Sequence, residues 1–102
     1  MNITIPAKNG FTIYSKGNCI NCDNIKKLLS DNSSEYNIDY IVINCDEYLN
    51  TDKELFLTNM NILTNTTIKV FPIVFKDSKF IGGFKEGINE IHRICFDMED
   101  NF

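Results

Sequence analysis

The chain has 102 residues, of which 43% are hydrophobic and 24% charged, and its formal net charge is −4 at pH 7. This composition is typical of a folded globular protein and excludes a disordered chain, and the length fits one domain, residues 1–102. The acidic balance argues against binding to nucleic acid or to an anionic membrane. No apolar run reaches transmembrane length, and residues 1–8 lack the basic and apolar regions of a signal peptide. We therefore expect a cytoplasmic protein.

Of the four cysteines, only Cys19 and Cys22 are close to each other in the sequence. Cys45 and Cys95 stand alone in apolar surroundings, which is a poor disulfide framework for a small secreted protein. We expect Cys45 to be a buried structural thiol, and a regulatory thiol is the alternative.

The first predicted elements are a lead-in segment, a strand and the helix that carries the two cysteines. Residues 1–10 are polar and contain break signals, whereas residues 11–15 are aromatic, β-branched or small, which favours a strand. Apolar residues recur at helical spacing from Cys22 onward, and the helix is expected to fade at residues 30–34. Cys19 therefore stands at or near the helix N-cap, with Cys22 one turn in.

The position of Cys19 has a chemical consequence. A helix N-terminus carries unpaired N–H groups and about half a positive charge. Lys16 adds a full charge nearby, so we expect a lowered thiol pKa and a reactive thiolate at Cys19. Cys22 is placed to attack a mixed disulfide on Cys19. Two other interpretations of the pair stay open, cysteines that only pack or half of a zinc site, and Lys16 has the alternative of a solvated loop lysine.

The next elements are a strand over residues 38–44 and a helix over residues 52–63. The near-continuous apolar run of the strand predicts burial on both faces, and strand, helix and strand in this order predict a parallel βαβ unit. Residues 51–54 have the form of a capping box at the start of the helix, and residues 65–67 are expected to end it. The helix residues expected to be buried are Leu55, Phe56, Met60 and Leu63.

The last elements are two short strands and a helix. Residues 73–75 and 79–81 flank an Asp-Ser turn, and two glycines end the second strand. A helix over residues 85–96 follows, and the acidic residues 97–102 are expected to fray. The order βαβαββα predicts an α/β protein, with helices on both faces of a small four-stranded mixed sheet.

Three motifs together carry a family resemblance. They are Tyr14-Ser15-Lys16-x-x-Cys19-x-x-Cys22, then Phe71-Pro72, and then Gly82-Gly83, ten residues after the proline. With these motifs the chain resembles a glutaredoxin of the thioredoxin superfamily over residues 11–95. The resemblance implies a thioredoxin-like three-layer fold. It also implies a glutathione-dependent thiol–disulfide oxidoreductase that reduces protein disulfides or glutathione mixed disulfides.

The resemblance further implies roles in the reaction for three residues. Cys19 would be the catalytic nucleophile and Cys22 the resolving thiol. Pro72 would match the family's cis-proline, a rare form of the peptide bond, and would face the cysteines.

Glutathione would be the co-substrate, and the resemblance implies three groups of residues that hold it. The backbone of Phe71 would pair with the glutathione cysteine in the manner of an added strand. Lys16 and Lys69 would meet the glycine carboxylate as charge-assisted partners. The backbone N–H groups that would hold the γ-glutamyl carboxylate belong to Gly83, Phe84 and Lys85.

Five residues, at three places in the sequence, depart from the family's pattern and bear on affinity and substrate preference. Ile20-Asn21 replace the usual Pro-Tyr between the cysteines, which should change the redox poise and remove one wall of the glutathione groove. Val70-Phe71 replace the usual Thr-Val before the proline. Lys85 stands where an acidic residue is usual, which leaves Glu86 to meet the glutathione amine.

Two other functions stay open. A glutaredoxin-like protein whose C-x-x-C lacks proline can hold a [2Fe–2S] cluster between two subunits, ligated by the first cysteine of each and by glutathione. The other alternative is a thioredoxin-like protein served by a reductase, because the groove tyrosine and the acidic residue are missing.

The cysteines and the histidine also form a zinc-type ligand set, Cys19, Cys22, His92 and Cys95. We expect no metal there, because the fold implied by the resemblance puts the last helix away from the active-site edge. The expected partners are glutathione and disulfide-containing proteins, and the expected state is a monomer.

Overall fold

The strands and helices follow one another in the predicted order. The computed structural model describes residues 1–96, so the predicted frayed tail, residues 97–102, lies outside the described residues. The elements are β1 (Phe11–Ser15), α1 (Ile20–Tyr36), β2 (Tyr40–Asn44), α2 (Asp46–Thr64), β3 (Ile73–Lys76), β4 (Lys79–Gly82) and α3 (Phe84–Phe96).

The four strands form one mixed sheet in the order β2-β1-β3-β4. β1 pairs in parallel with β2 and antiparallel with β3, and β4 pairs antiparallel with β3. The predicted parallel βαβ unit and the four-stranded mixed sheet are therefore confirmed. Asp77 and Ser78, in the tight turn between β3 and β4, both have positive φ (51° and 67°), which is typical of a hairpin turn.

Helices cover both faces of the sheet, as predicted. On one face, α1 and α3 pack against alternate residues of the two central strands, with Ile25 and Ile91 fully buried. On the other face, α2 packs against the remaining residues of those strands through Phe56 and Met60, which are also fully buried. Because successive side chains of a strand point to opposite faces of the sheet, the same strands contribute residues to the core on each face. Within residues 1–96, no helix has the length and apolar character needed to cross a membrane.

The prediction that β2 is buried on both faces is wrong. Ile41 and Val42, in the middle of this strand, are 43% and 40% exposed. β2 lies at the edge of the sheet and has a strand neighbour only on one side. The strand buried along its whole length is β1, which lies between β2 and β3.

The prediction that the first helix fades at residues 30–34 is also wrong. α1 continues to Tyr36 and ends at Asn37, which adopts the left-handed conformation (φ 54°). The polar residues near the end of α1 are mostly exposed, while Tyr36 packs against the core and extends the apolar face by another turn. The side-chain amide of Asn32 donates a hydrogen bond to the backbone carbonyl oxygen of Leu28 (2.8 Å), one turn earlier in the helix.

The predicted start of the second helix at Asp52 is confirmed, but a helical segment that was not predicted precedes it. α2 starts at Asp46 and is kinked at Asp52, whose φ and ψ (−161° and 90°) are not helical. The predicted capping box is not formed, because the side chain of Asp52 caps the segment by accepting from Leu55 N–H (3.0 Å). Thr51 instead donates its hydroxyl to the carbonyl oxygen of Glu47 (2.8 Å). The predicted end of the helix is confirmed, with Asn65 as the left-handed C-cap.

Two leucines of α2 are not buried as predicted. Leu55 and Leu63 are each 40% exposed. The row that faces the sheet is Phe56, Met60 and Thr64, at a spacing of i, i+4 and i+8. Each leucine directly precedes a member of this row, and one helical step turns a side chain by about 100°. The leucines therefore lie beside the buried face.

Candidate active site

The two active-site cysteines lie where the first helix begins, and they are joined by a disulfide. Cys19 is the N-cap residue of α1 and has extended backbone angles (φ −133°, ψ 101°), so the predicted position is confirmed. Its Sγ accepts a hydrogen bond from the Cys22 backbone N–H (3.2 Å). Cys22 is fully buried, whereas Cys19 is half-buried. An external disulfide can therefore reach Cys19 but not Cys22.

The loop that leads into the cysteines is fixed by Asp46, a residue that sequence reasoning missed. The Asp46 carboxylate accepts from the Gly17 backbone N–H through both oxygens (2.9 and 3.2 Å). The register of the sheet explains this contact. Ser15 of β1 pairs with Asn44 of β2, and Gly17 and Asp46 each follow a member of this pair by two residues. The carboxyl ends of the parallel strands β1 and β2 thus bring this acidic residue to the loop.

The segment before β3 faces the first cysteine. The Phe71–Pro72 peptide bond is cis, as the resemblance implies. The Phe71 carbonyl oxygen lies 3.8 Å from Cys19 Sγ, while its ring stacks on Phe56 with the centroids 6.2 Å apart. Phe71 thus presents its backbone to the site and its ring to the core.

A groove of about 630 Å³ opens beside Cys19. Three of the residues predicted to bind glutathione line it, namely Lys16, Lys69 and Phe71. Ile20 and Asn21, between the cysteines, line it as well. One wall was not predicted from the sequence and comes from α2: Leu49, Asn50, Lys53 and Leu57.

The remaining predicted residues lie outside the lining of this groove. Pro72 is buried, and Gly83 lies next to it, because a Cβ on Gly83 would be 3.6 Å from the Pro72 carbonyl oxygen. Phe84 is the first residue of α3 and Lys85 follows it, exposed. The start of α3 therefore lies next to the cis-proline but outside the lining of the lysine-lined groove.

The Glu86 side chain occupies the start of α3. Its carboxylate accepts a hydrogen bond from the Gly83 backbone N–H (2.9 Å), and this bond lowers the pKa of the carboxyl group. This is the half of a capping box in which the third helical residue reaches back to the N-cap N–H. A donor assigned to the glutathione carboxylate thus already holds a carboxylate of the protein itself.

The two isolated cysteines are buried. Burial raises the pKa of the Cys45 thiol to about 12 and also raises the pKa of Cys95. Both thiols are fully or almost fully shielded from solvent. A thiol is nucleophilic only as its thiolate, so burial and the raised pKa both disfavour reaction of these two cysteines near neutral pH.

This burial predicts selective labelling. After reduction at pH 7.5, we expect iodoacetamide to modify Cys19 first and to leave Cys45 and Cys95 unmodified until the protein is unfolded. Mass spectrometry of the digested protein identifies the labelled residues. Labelling of Cys45 in the folded protein at a rate near that of Cys19 would contradict this prediction and favour the regulatory alternative.

The four residues of the zinc-type ligand set are not brought together. His92 is exposed on α3, and Cys95 is buried in the core between α1, α3 and the sheet. Cys19 and Cys22 are bonded to each other at the start of α1. Over the described part of the chain, no group of three or more His, Cys, Asp or Glu side chains is placed to hold a metal ion.

Solved structures provide the comparison with known proteins. No protein-family model matches the chain, and no curated protein matches it. Glutaredoxin 1 from Francisella tularensis, complexed with cacodylate, has a TM-score of 0.65 and 26% identity, covering 83% of this chain and 94% of that one. The holo form of glutaredoxin C1 from Populus tremula x tremuloides has a TM-score of 0.62 and 24% identity, covering 90% and 81%. The glutaredoxin-like NrdH-redoxin from Escherichia coli has a TM-score of 0.51 and 20% identity, covering 81% and 91%.

The fold and the C-x-x-C pair at the start of α1 define a thiol–disulfide oxidoreductase with the thioredoxin-superfamily fold. Within that class the chain is glutaredoxin-like, with Cys-Ile-Asn-Cys as its active-site sequence. The resemblance seen in the three sequence motifs is therefore confirmed.

Proposed function

We propose that the protein is a glutathione-dependent oxidoreductase that reduces protein disulfides and glutathione mixed disulfides. The observation that supports this most directly is the position of Cys19. It is an accessible N-cap cysteine with the Phe71 carbonyl on one side and a lysine-lined groove beside it. We further propose that the chain acts as a single-domain monomer. We place this monomer in the cytoplasm, because a dithiol reductant needs a reducing compartment.

The reaction with a glutathione mixed disulfide needs one cysteine. The Cys19 thiolate attacks the glutathione sulfur of the mixed disulfide, and the substrate leaves as a thiolate that takes a proton from water. A second glutathione thiolate attacks the glutathione sulfur held on Cys19. This step forms glutathione disulfide and returns the Cys19 thiolate, so each turnover consumes one free glutathione thiol, and the other half of the glutathione disulfide comes from the substrate.

The reaction with a protein disulfide uses both cysteines. The Cys19 thiolate attacks one substrate sulfur and releases the other as a thiolate. Cys22 then loses its proton and attacks Cys19 Sγ, which releases the second substrate thiolate and leaves the Cys19–Cys22 disulfide. Two molecules of glutathione reduce this disulfide in turn and leave as glutathione disulfide.

In this proposal, glutathione lies across the cis-proline. Lys16 and Lys69 meet its glycine carboxylate, and the Phe71 backbone pairs with its cysteine beside Pro72. The γ-glutamyl carboxylate binds at the start of α3, where the N–H groups of a helix N-terminus favour an anion. The residues that supply those N–H groups are Gly83, Phe84 and Lys85.

The contact between Glu86 and Gly83 makes a prediction about affinity. Because the Glu86 carboxylate holds the Gly83 N–H, glutathione must displace it. We expect Glu86→Ala to lower the KM for glutathione about two- to fivefold, roughly what one exposed hydrogen bond is worth. Steady-state kinetics with varied glutathione measures the change, and Asp77→Ala, in the distant β3–β4 turn, is the control. A raised KM would instead mean that Glu86 meets the glutathione amine.

The alternative of a thioredoxin-like protein served by a reductase is favoured by this same contact and by the missing groove tyrosine. The two proposals are separated by the source of electrons. The oxidised protein is given either glutathione, glutathione reductase and NADPH, or thioredoxin reductase and NADPH, and the return of the Cys19 and Cys22 thiols is followed. Our proposal requires reduction in the first mixture, and reduction in the second mixture alone would favour the alternative.

The alternative of a [2Fe–2S] cluster is favoured by the absence of proline between the cysteines. A single chain does not hold the ligand set within residues 1–96, so Cys19 from two chains and glutathione would have to supply it. Anaerobic purification in the presence of glutathione tests this function. A brown protein with visible absorbance, lost in Cys19→Ser, would support the cluster, and a colourless protein would count against it.

A further inference from the structure

The groove beside Cys19 extends past the residues assigned to glutathione and onto α2. Lys53 and Asn50 lie in this added wall together with Leu49 and Leu57. Lys53 is the first residue after the non-helical Asp52 and is exposed, so its side chain is available to a bound substrate. None of these α2 residues belongs to the sequence motifs that carry the resemblance.

The groove is positively charged on a protein that is acidic overall. Lys16, Lys53 and Lys69 line it, and neither an aspartate nor a glutamate is among its lining residues. Over the described residues these three lysines make no ion pair, whereas four other cationic side chains are each paired with a carboxylate. The formal net charge of the whole chain is −4. The groove therefore concentrates unpaired positive charge beside the reactive cysteine.

One carboxylate contacts the loop before Cys19 without lining the groove. Asp46 contacts the loop that follows β1, but its carboxylate is engaged by the Gly17 N–H. Asp46 is also not part of the groove lining. All charged side chains of the groove lining itself are therefore positive.

The groove also carries exposed apolar side chains. Ile20 and Val70, which line it, are 71% and 70% exposed. A peptide that crosses the groove next to Cys19 would cover both side chains. Covering them would remove exposed apolar surface from water, which favours binding of a polypeptide over binding of a free small anion.

We propose that this groove selects protein disulfides whose chain carries acidic side chains next to the reacting cysteine, with Lys53 as a specificity-determining residue. The inference rests on the proposed reduction of protein disulfides and names the substrate class of that reaction. A segment paired with the Phe71 backbone lays its side chains alternately toward and away from the groove wall. A carboxylate that lies toward the wall meets Lys53, in addition to the lysines near Cys19.

Lys53 can be altered without loss of the fold. It stands at the start of the second segment of α2, where an acidic residue interacts favourably with the helix dipole. Lys53→Glu is therefore expected to fold normally. Lys79→Glu is the matched control, because it makes the same change in net charge at an exposed position beside the β3–β4 turn. That turn is at the opposite end of β3 from the cis-proline.

The test uses the reduced full-length protein and three synthetic peptides with the same disulfide loop. The residues flanking the cysteines are aspartate in the first, asparagine in the second and lysine in the third. Single-turnover oxidation of Cys19 and Cys22 is followed without glutathione, by acid quench, alkylation and mass spectrometry. We expect the rate constants to fall from the first peptide to the third. Exposed charge pairs are modest, so we expect Lys53→Glu to slow the aspartate peptide about tenfold and Lys79→Glu to leave it unchanged.

Ionic strength provides the second readout. The preference for the aspartate peptide should largely disappear in about 1 M salt, where the Debye length is about 3 Å. Equal rate constants for the three peptides, or equal effects of the two substitutions, would overturn the assignment of acidic substrates while leaving disulfide reduction intact. Failure of the wild-type protein to reduce any of the peptides would overturn the proposed reduction of protein disulfides itself.

Discussion

Replacing Cys19 by serine is expected to abolish turnover of every disulfide substrate. Cys19 is the accessible cysteine of the pair, and it stands at the helix N-cap beside the groove. The Cys22 thiol is fully buried and cannot take over the first attack. A serine hydroxyl at the N-cap keeps the capping hydrogen bond but is a far weaker nucleophile. We expect a loss of at least about a thousandfold in kcat/KM, as for other covalent nucleophiles.

The control for this substitution removes a different thiol. Cys45→Ala removes a buried cysteine from the core between α2 and the sheet. This variant should keep most of the activity of the wild type. Thermal unfolding of both variants checks that they are folded. Activity of Cys19→Ser within tenfold of the wild type would show that Cys19 is not the nucleophile.

Replacing Cys22 by serine is expected to separate the two reactions. Reduction of a glutathione mixed disulfide needs only Cys19, so we expect its rate to stay within about threefold of the wild type. Reduction of a protein disulfide needs the internal attack by Cys22, and without it the mixed disulfide on Cys19 has no nearby nucleophile. We expect that rate to fall at least about a hundredfold, since an intramolecular attack is replaced by a bimolecular one.

The trapped intermediate provides a direct check on this difference. With Cys22→Ser and a disulfide-bonded test protein, mass spectrometry should detect the substrate covalently attached at Cys19. If both activities were lost to the same extent as in Cys19→Ser, the roles of nucleophile and resolving thiol would be wrong.

Local patterns in the sequence were sufficient to predict the elements that build the site. The strand before Lys16, the N-cap position of Cys19 and the order of all strands and helices follow from residue periodicity and break signals. These features depend on neighbours in the sequence, so they are visible there. The cis form of Phe71–Pro72 came from the family resemblance and not from any local pattern.

The predictions failed where burial or the start of an element depends on position in the sheet or on contact between residues far apart in the sequence. An apolar run has the same pattern in an edge strand and in a central one, so the exposure of Ile41 and Val42 in β2 could not be predicted from periodicity. The capping residues around Asp52 predict the start of a helix, and a helical segment does start there. The segment that precedes it, from Asp46, was not predicted, because the contact of Asp46 with the Gly17 amide joins residues that are far apart in the sequence.

The sequence motifs likewise did not predict the positions of two charged residues at the site, Lys53 and Glu86. Lys53 lines the groove because α2 begins beside the loop before Cys19, where Asp46 contacts Gly17, and no spacing in the sequence connects Lys53 with Cys19. The position of Glu86 could have been anticipated, since an acidic residue three positions after an N-cap glycine often reaches back to it.

The measurement that tests the central claim most directly is turnover of a small glutathione mixed disulfide, coupled to glutathione, glutathione reductase and NADPH. We predict steady NADPH consumption by the wild-type protein and none above background for Cys19→Ser. Such a result would establish a glutathione-dependent oxidoreductase despite Ile20-Asn21 between the cysteines and Lys85 at the start of α3. Absence of turnover by folded and reduced wild-type protein would contradict the claim, because it would mean that the groove does not take glutathione productively.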